Sequence, residues 1–477
     1  MSTAVTLKTR DGGSTALSPE HLDQLRAKLR GVVCLPGEPG YEQARTLWNA
    51  MIDRKPAVTV RALGAADVIT AVRFAREHGL LLAVRGGGHN IAGNAVCDGG
   101  LQLDLSLMRS VRVDPAAKTA RVEPGAVLGD VDKETQTFGL ALPVGVNSTT
   151  GISGLTLGGG FGWLSRKYGL TIDNLLSVDL VTANGALVHA SEKENPDLFW
   201  AVRGGGGNFG VVTSFEFRLH PIGTELLTGV LIHPLAKAKE ILTAYRRVVA
   251  QAPDELAVWF VMRKAPPLPF LAPEYHGTDV LVLALCWSGD LEAGRGPVGQ
   301  IQGLGKPIAE VVGPTPFVAW QQLLDPLLTP GARNYWKSQS FTELSDAALD
   351  ILIDAAKRIP SPESEIAFAQ VGGVINRVPA AATAYPHRNI QFVLNEHTRW
   401  MDAAKDNECI AWARKLFDDM APHATGGVYV NFMPEEETLK SRPGAYGTNM
   451  ERLAQIKAKL DPDNLFRMNQ NIAPAPR

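Results

Sequence analysis

The segment Val84-Arg-Gly-Gly-Gly-His-Asn-Ile-Ala-Gly93 constrains this chain more than any other stretch. It follows an apolar run, residues 80–84, that reads as a buried strand. Three consecutive glycines let the backbone turn sharply and expose its N–H groups at close range, which is how a chain cradles a phosphate. A single imidazole, His89, stands at the end of the run. Two more glycine-rich loops follow, at residues 158–162 and 204–210. None carries the Gly-Lys-Ser/Thr of a Walker loop, and none is followed by a clear dinucleotide-binding helix. Three such loops flanking strands of one region point to dinucleotide binding, with backbone N–H groups holding the pyrophosphate.

The surrounding pattern supplies the strands. Residues 58–60 read as a short strand, and a helix from Ala65 has Val68, Ile69, Val72, Phe74 and Ala75 as its apolar face. Gly79 ends that helix, so the chain enters the His89 loop from a β-α-β unit. Short strands follow at 101–105, 111–113 and 119–122, a helix opens at Glu123, a hairpin turns at Asn184-Gly185, and a strand covers 211–217. Beyond Pro221, strands at 226–232, 256–262, 280–287 and 366–371 mix with helices at 236–249, 347–358 and 402–420. That is an α+β arrangement, a largely antiparallel sheet with helices on one face. The proline-rich residues 265–273 read as a surface loop.

Length and charge narrow the function. A chain of 477 residues exceeds one ordinary core, which predicts two domains. A formal charge of -2 gives no reason to expect nucleic acid or an anionic membrane as partner. No apolar run approaches the ~18 residues a membrane span needs, and the first residues lack the apolar core of a signal peptide. A cytoplasmic protein is expected. Cys34, Cys97, Cys286 and Cys409 are scattered, with no zinc-like spacing, and read as free thiols with no metal site.

Six motifs in order carry a resemblance: Arg85-Gly-Gly-Gly-His-Asn90, Gly151-Ile-Ser-Gly154, Gly158-Gly-Gly-Phe-Gly162, Arg166-Lys-Tyr-Gly-Leu170 with Asp173-Asn174, Tyr429-Val-Asn-Phe432 and Asn469-Gln-Asn-Ile472. Over nearly its whole length the chain resembles the covalent flavoproteins of the vanillyl-alcohol oxidase superfamily, in particular the bacterial berberine bridge enzyme-like oxidases. The resemblance implies a two-domain PCMH-type FAD-binding fold: residues 1–218 binding FAD, 219–424 binding substrate, and 425–477 returning to the FAD domain. It implies FAD contacts from Arg85, Gly86, Gly87, Gly88, His89 and Asn90, and from Ser153, Gly154, Gly158, Gly159, Gly160 and Gly162. Asn208, Gly210, Val211, Tyr429, Asn431, Asn469 and Asn471 complete that set. His89 is expected to be joined through a ring nitrogen to the 8α-methyl of FAD. Many relatives add a cysteine tether at the position that Asn147 holds here, so one covalent bond is expected. Thr150 stands where relatives control oxygen access.

For catalysis, Tyr429 and Asn431 match the family's Tyr-x-Asn-Tyr segment, while Phe432 lacks the second hydroxyl. Strand alternation would put Tyr429 and Asn431 on one face and Phe432 on the other. A tyrosine base must be brought down from a pKa of roughly 10. On the strand around 365–370, Glu365 and Gln370 are further catalytic candidates on opposite faces. Asn395 and Glu396 are substrate-side candidates. The resemblance implies an oxidase that takes hydride from a C–H next to oxygen or nitrogen of a small alcohol, sugar, alkaloid or polyketide-like molecule. Molecular oxygen would become hydrogen peroxide, and a homodimer is compatible with this. A dehydrogenase with another acceptor and a flavin-free binding protein are the alternatives.

Overall fold

Continuous apolar runs become strands buried on both faces, and here they deliver the glycine loop. The computed structural model describes residues 4–437 and 442–476, without the side chains of 442 and 443. The first three residues of the N-terminal stretch therefore lie outside the described residues. Strands β1 (Val32–Cys34), β2 (Val58–Arg61), β3 (Leu82–Arg85) and β4 (Leu101–Asp104) form a sheet in the order β1-β2-β4-β3. Both β2 and β3 run parallel to β4. Helix α1 (Ala65–Glu77) buries Val68, Ala71, Val72 and Ala75 against this sheet. Gly79, at φ 63°, turns the chain out of α1 in a conformation that side chains with a Cβ avoid. Strand β3 then ends at Arg85, directly before the three glycines.

A second sheet is wholly antiparallel. It contains β5 (Val111–Asp114), β6 (Thr119–Val122), β7 (Leu175–Val181), β8 (Leu187–Ser191) and β9 (Val211–Arg218), in the order β8-β7-β9-β6-β5. The hairpin at Asn184-Gly185 joins β7 to β8, with Gly185 at φ 74°. Helix α2 (Leu128–Gln136) begins later than its sequence suggests. The reason is Gly125, whose backbone packs so close to Leu105 that a Cβ would lie 2.0 Å from the Leu105 carbonyl oxygen.

The third sheet has seven strands: β10 (Glu225–Pro234), β11 (Leu256–Lys264), β12 (Asp279–Trp287), β13 (Ala309–Pro316), β14 (Arg333–Phe341), β15 (Glu365–Gln370) and β16 (Phe392–Trp400). Their order is β13-β10-β12-β11-β15-β16-β14, every pair antiparallel. One face packs on α3 (Ala238–Ala250), α4 (Asp346–Ala356) and α5 (Asp406–Met420) through leucines and phenylalanines such as Leu281, Leu283, Phe260 and Phe368. The protein is thus α+β, with a largely antiparallel sheet covered by helices on one face. The opposite face bounds the cavity described below.

The C-terminal residues dock on the third glycine loop. In α6 (Met450–Leu460), the buried Lys457 ammonium donates to the Asn208 carbonyl at 2.7 Å and to the Phe466 carbonyl at 3.0 Å. Asp461, 2.5 Å from that ammonium, neutralises it. The Asn208 side chain donates to the Gln470 carbonyl at 3.3 Å and accepts from the Ile472 amide at 2.9 Å. No described helix is long and apolar enough to cross a membrane.

Candidate active site

A cavity of about 450 Å3 runs between the glycine loops and the open face of the seven-stranded sheet. Gly86, Gly87, Gly88, His89 and Asn90 line it, as do Ser153, Gly154, Gly210, Val211 and Asn469. The glycines are structural necessities here. A Cβ on Gly87 would lie 2.4 Å from the Cα of Gly151, and Gly88 sits at φ 76°.

Other residues expected to touch the cofactor stand behind this wall. Arg85 turns its guanidinium away, donating to the carbonyls of Gln43 (2.8 Å) and Ala44. Gly158, Gly159, Gly160 and Gly162 do not line the cavity; only Phe161 of that loop does. They pack instead beneath the Tyr429 segment, and a Cβ on Gly158 would lie 2.3 Å from the Asn431 side chain. Asn208 is committed to the C-terminal segment, and Asn471 is not among the lining residues.

Around His89 the shorter contact of Thr149 orders the hydrogen bonds. The Thr149 amide donates to Asn147 Oδ1 at 3.0 Å, which identifies that atom as oxygen. The Thr149 hydroxyl donates to the same oxygen at 2.7 Å. With its one proton spent, Thr149 Oγ1 can only accept from His89 Nε2, 3.0 Å away. His89 is therefore the Nε2–H tautomer, and Nδ1 carries the lone pair, with no hydrogen-bond partner among the described residues. Burial, with the Arg85 charge nearby, holds the imidazole down at about 3, so it is neutral at physiological pH. Trp48 stacks on the ring, centroids 4.9 Å apart.

The Tyr429 segment corrects an expectation from strand alternation. Residues Val430–Phe432 form a 3-10 turn, closed by the Phe432 amide donating to the Tyr429 carbonyl at 2.9 Å. Residues three apart share a face in such a turn, so Phe432 comes round beside Tyr429, ring centroids 4.9 Å apart. Tyr429, Asn431 and Phe432 all line the cavity. The Tyr429 hydroxyl oxygen accepts from the Gly160 amide and from Asn431 Nδ2, each at 3.0 Å. Burial pushes the phenol up to about 12 despite these two donors. The group is a protonated hydroxyl that accepts two hydrogen bonds on a residue lining the cavity.

On the seven-stranded sheet, register brings Arg263 (β11), Glu365 (β15) and His397 (β16) into one row across three adjacent strands, all facing the cavity. Arg263 Nη1 donates to Glu365 Oε2 at 2.7 Å, and His397 Nδ1 lies 3.2 Å from Glu365 Oε1. Burial alone would raise the Glu365 carboxyl, but the Arg263 charge, His397 and Arg399 bring it down to about 2. Asn395 lines the cavity one row along and donates to the Lys337 carbonyl at 2.9 Å. Gln370 is on the helix-covered face, its side chain bonded to the Val258 amide (2.9 Å) and the Val249 carbonyl (3.3 Å), and does not reach the cavity. Glu396 faces the helices too, where burial raises its carboxyl to about 8.

Sequence reasoning missed Thr149, Arg263, His397 and the indoles of Trp48 and Trp336. Alternation along 256–264 does put Arg263 on the face of Val261. Its partner Glu365, though, is set by register between strands about a hundred positions apart, which no local pattern reports.

The residues present fit FAD on two structural grounds. The Gly87–Gly151 contact makes a wall that a Cβ on either residue would fill. Asn94 Nδ2 and Asn469 Oδ1, on residues lining the cavity, are buried without a hydrogen-bond partner among the described residues. Such orphaned atoms await a polar ligand.

Comparison with known proteins agrees. Residues 56–191 match the model of an FAD binding domain, and residues 428–473 match the "berberine and berberine like" model. An FAD-linked oxidoreductase of Dictyostelium discoideum is 33% identical over 94% of this chain and 95% of its own length. The (R)-6-hydroxynicotine oxidase of Paenarthrobacter nicotinovorans is 31% identical over 94% of this chain and 97% of its own. The solved structure of Physcomitrella patens BBE-like 1 superposes with a TM-score of 0.86 at 26% identity, covering 96% of this chain and 99% of that one.

Proposed function

The chain belongs to the berberine bridge enzyme-like family of FAD-linked oxidoreductases, and on that premise we propose that it is an oxidase holding FAD through a single covalent bond to His89. FAD, when bound, supplies a two-electron acceptor for a substrate C–H next to oxygen or nitrogen and passes the electrons to molecular oxygen.

The observation that carries this reading is the relay from Asn147 through Thr149 to His89. It leaves Nδ1 neutral and unprotonated on a residue that lines the cavity, the state a nucleophilic nitrogen needs. Asn147 takes the place at which relatives carry a second tether, and serves here to orient the first. All four cysteines are buried and free, and Cys97 is pushed up to about 12 by burial, so none offers a thiolate as a second attachment. Gly86, Gly87 and Gly88 would hold the cofactor through their backbone. Asn94 and Asn469 would meet its polar edges. The protonated Tyr429 hydroxyl donates into the reaction space and orients the substrate. Arg263, Glu365 and His397 form the polar end of the substrate wall.

Denaturing electrophoresis of the purified protein tests the claim. The band should fluoresce under acid, and His89→Ala should release its flavin on precipitation. Peptide mapping should find flavin on the His89 peptide and on no cysteine. Complete loss of flavin from denatured wild-type protein would overturn covalent attachment, and absence of peroxide on aerobic turnover would overturn oxidase activity.

A further inference from the structure

The open face of the seven-stranded sheet is sharply divided by register. Ile232, Val282, Val261 and Ala367 stand in one cross-strand row, and Val230 faces Ala284 in the next. All of these line the cavity. Asn395 continues the first row and the Trp259 indole the second; the other members are aliphatic, so a hydroxylated ring finds few groups to bond to. A sugar entering here would leave several hydroxyls stripped of water and unpaired, a cost the aliphatic members of these rows do not offset.

Polar groups are concentrated in the neighbouring row, and donors prevail there. Glu365 is the acidic member, and both its oxygens are already engaged, Oε2 by Arg263 at 2.7 Å and Oε1 by His397 at 3.2 Å. His397 Nε2 lies 3.4 Å from Asn334 Oδ1, so both ring nitrogens face oxygen acceptors. Trp336, paired with His397 in register and lining the cavity, has an indole N–H with no partner among the described residues. Arg399, two positions past His397, does not line the cavity; it lies over Trp48 at 5.4 Å, donates to the Thr329 carbonyl at 2.7 Å and has Glu363 and Glu365 as countercharges. Arg263 and Glu365 balance in charge, and the open bonding position on this row is a donor, the Trp336 indole N–H.

We propose that the substrate is a largely apolar molecule carrying an anionic oxygen group, a carboxylate or phenolate, which docks at the Arg263–Glu365–His397–Trp336 row while its hydrocarbon body lies on the aliphatic rows. This inference rests on the proposed function only for the use of the cavity as a substrate site. It separates this protein from carbohydrate oxidation and equally from amine oxidation, because a cation would meet Arg263 in place of a free carboxylate.

The test uses probes of one hydrocarbon body with different head groups, 4-phenylbutanoate, 4-phenylbutan-1-ol and 4-phenylbutan-1-amine, with cellobiose as the sugar. Each is titrated anaerobically into the holoenzyme, with binding read from the shift in flavin absorbance or, for a colourless preparation, from the fluorescence of Trp336 and Trp259. The carboxylate should bind at least tenfold more tightly than the amine, with the alcohol between them and cellobiose not detected. Amine binding equal to or tighter than the carboxylate, or cellobiose binding in the same range, overturns the proposal. In Arg263→Gln, Glu365 loses its guanidinium and the carboxylate–amine order should reverse; an unchanged order there overturns the proposal. If that variant does not fold, the wild-type ranking decides. A yellow protein that prefers the amine sinks this inference alone, whereas a colourless one sinks the proposed cofactor and leaves the ranking measurable.

Discussion

The Gly160 amide donates to the Tyr429 hydroxyl at 3.0 Å, joining a glycine loop to a tyrosine 269 positions away. That loop was expected to contact the cofactor itself. In the fold it holds the residue that faces the reaction space, and the distinction can be tested from both ends.

At the tyrosine end, Tyr429→Phe keeps the ring and removes the hydroxyl. A hydroxyl held at about 12 and accepting two N–H bonds acts by hydrogen bonding. Losing one such bond, at about 0.5–1.5 kcal/mol, predicts up to a roughly tenfold slower flavin reduction by substrate, with the pH profile unchanged. Stopped-flow reduction under anaerobic conditions measures it. A loss of several hundredfold together with a vanished limb of the pH profile would instead make Tyr429 the base.

Gly160→Ala probes the loop end. Gly160 sits at φ 78°, and a Cβ would lie 2.2 Å from Thr171 Oγ1. Left-handed strain and overpacking together should cost about 2–4 kcal/mol. The apparent Tm should fall accordingly, and an unchanged Tm would show that the loop relaxes freely.

Thr149→Val removes the acceptor that selects the His89 tautomer while preserving shape. Protein refolded or expressed with limiting flavin should then carry a severalfold smaller covalent fraction, scored by acid-stable fluorescence. Thr149→Ser should restore it. Equal covalent fractions in all three proteins would mean that the Asn147–Thr149 relay does not direct attachment.

Glu365 makes stability depend on pH. Its folded value of about 2 lies below the ordinary glutamate value of about 4.5, so its contribution is present above about pH 4.5 and is lost as pH falls towards 2. Glu365→Gln strands the Arg263 charge in a buried site and should cost about 3–5 kcal/mol at pH 7. The gap between variant and wild type should narrow below about pH 4.5, where the unfolded chain's carboxylate takes up a proton while the folded one stays ionised. Denaturation midpoints at pH 7 and pH 4 check both points, and a gap that widens on acidification would reverse the assignment.

Local patterns carried the β-α-β entry to the His89 loop, the hairpin at Asn184-Gly185 and the helices Ala65–Glu77, Ala238–Ala250, Asp346–Ala356 and Asp406–Met420. These depend on interactions within a few residues: glycine φ freedom, apolar periodicity and turn chemistry. Strand β16 was harder to see, because Asn395, Glu396, His397, Thr398 and Arg399 are polar yet buried on both faces of the sheet. For Asn395, His397, Thr398 and Arg399 that burial is tolerated because partners arrive from β14, β15 and a distant loop, none of them adjacent in sequence.

By itself, then, the sequence determined the α+β class, the glycine-rich loops and the position of His89 at the end of the first of them, since each follows from short-range backbone rules or from a motif. Only the tertiary structure decided the direction in which these parts work. The 3-10 turn at 430–432 swings Phe432 to the side of Tyr429. Strand register sends Glu365 into the cavity and Gln370 away from it, and sets Arg263 beside Glu365. The threonine beside Asn147 settles which nitrogen of His89 is free. Each of these is a contact between segments far apart in the chain, and its geometry comes into being only when the sheets and loops pack together.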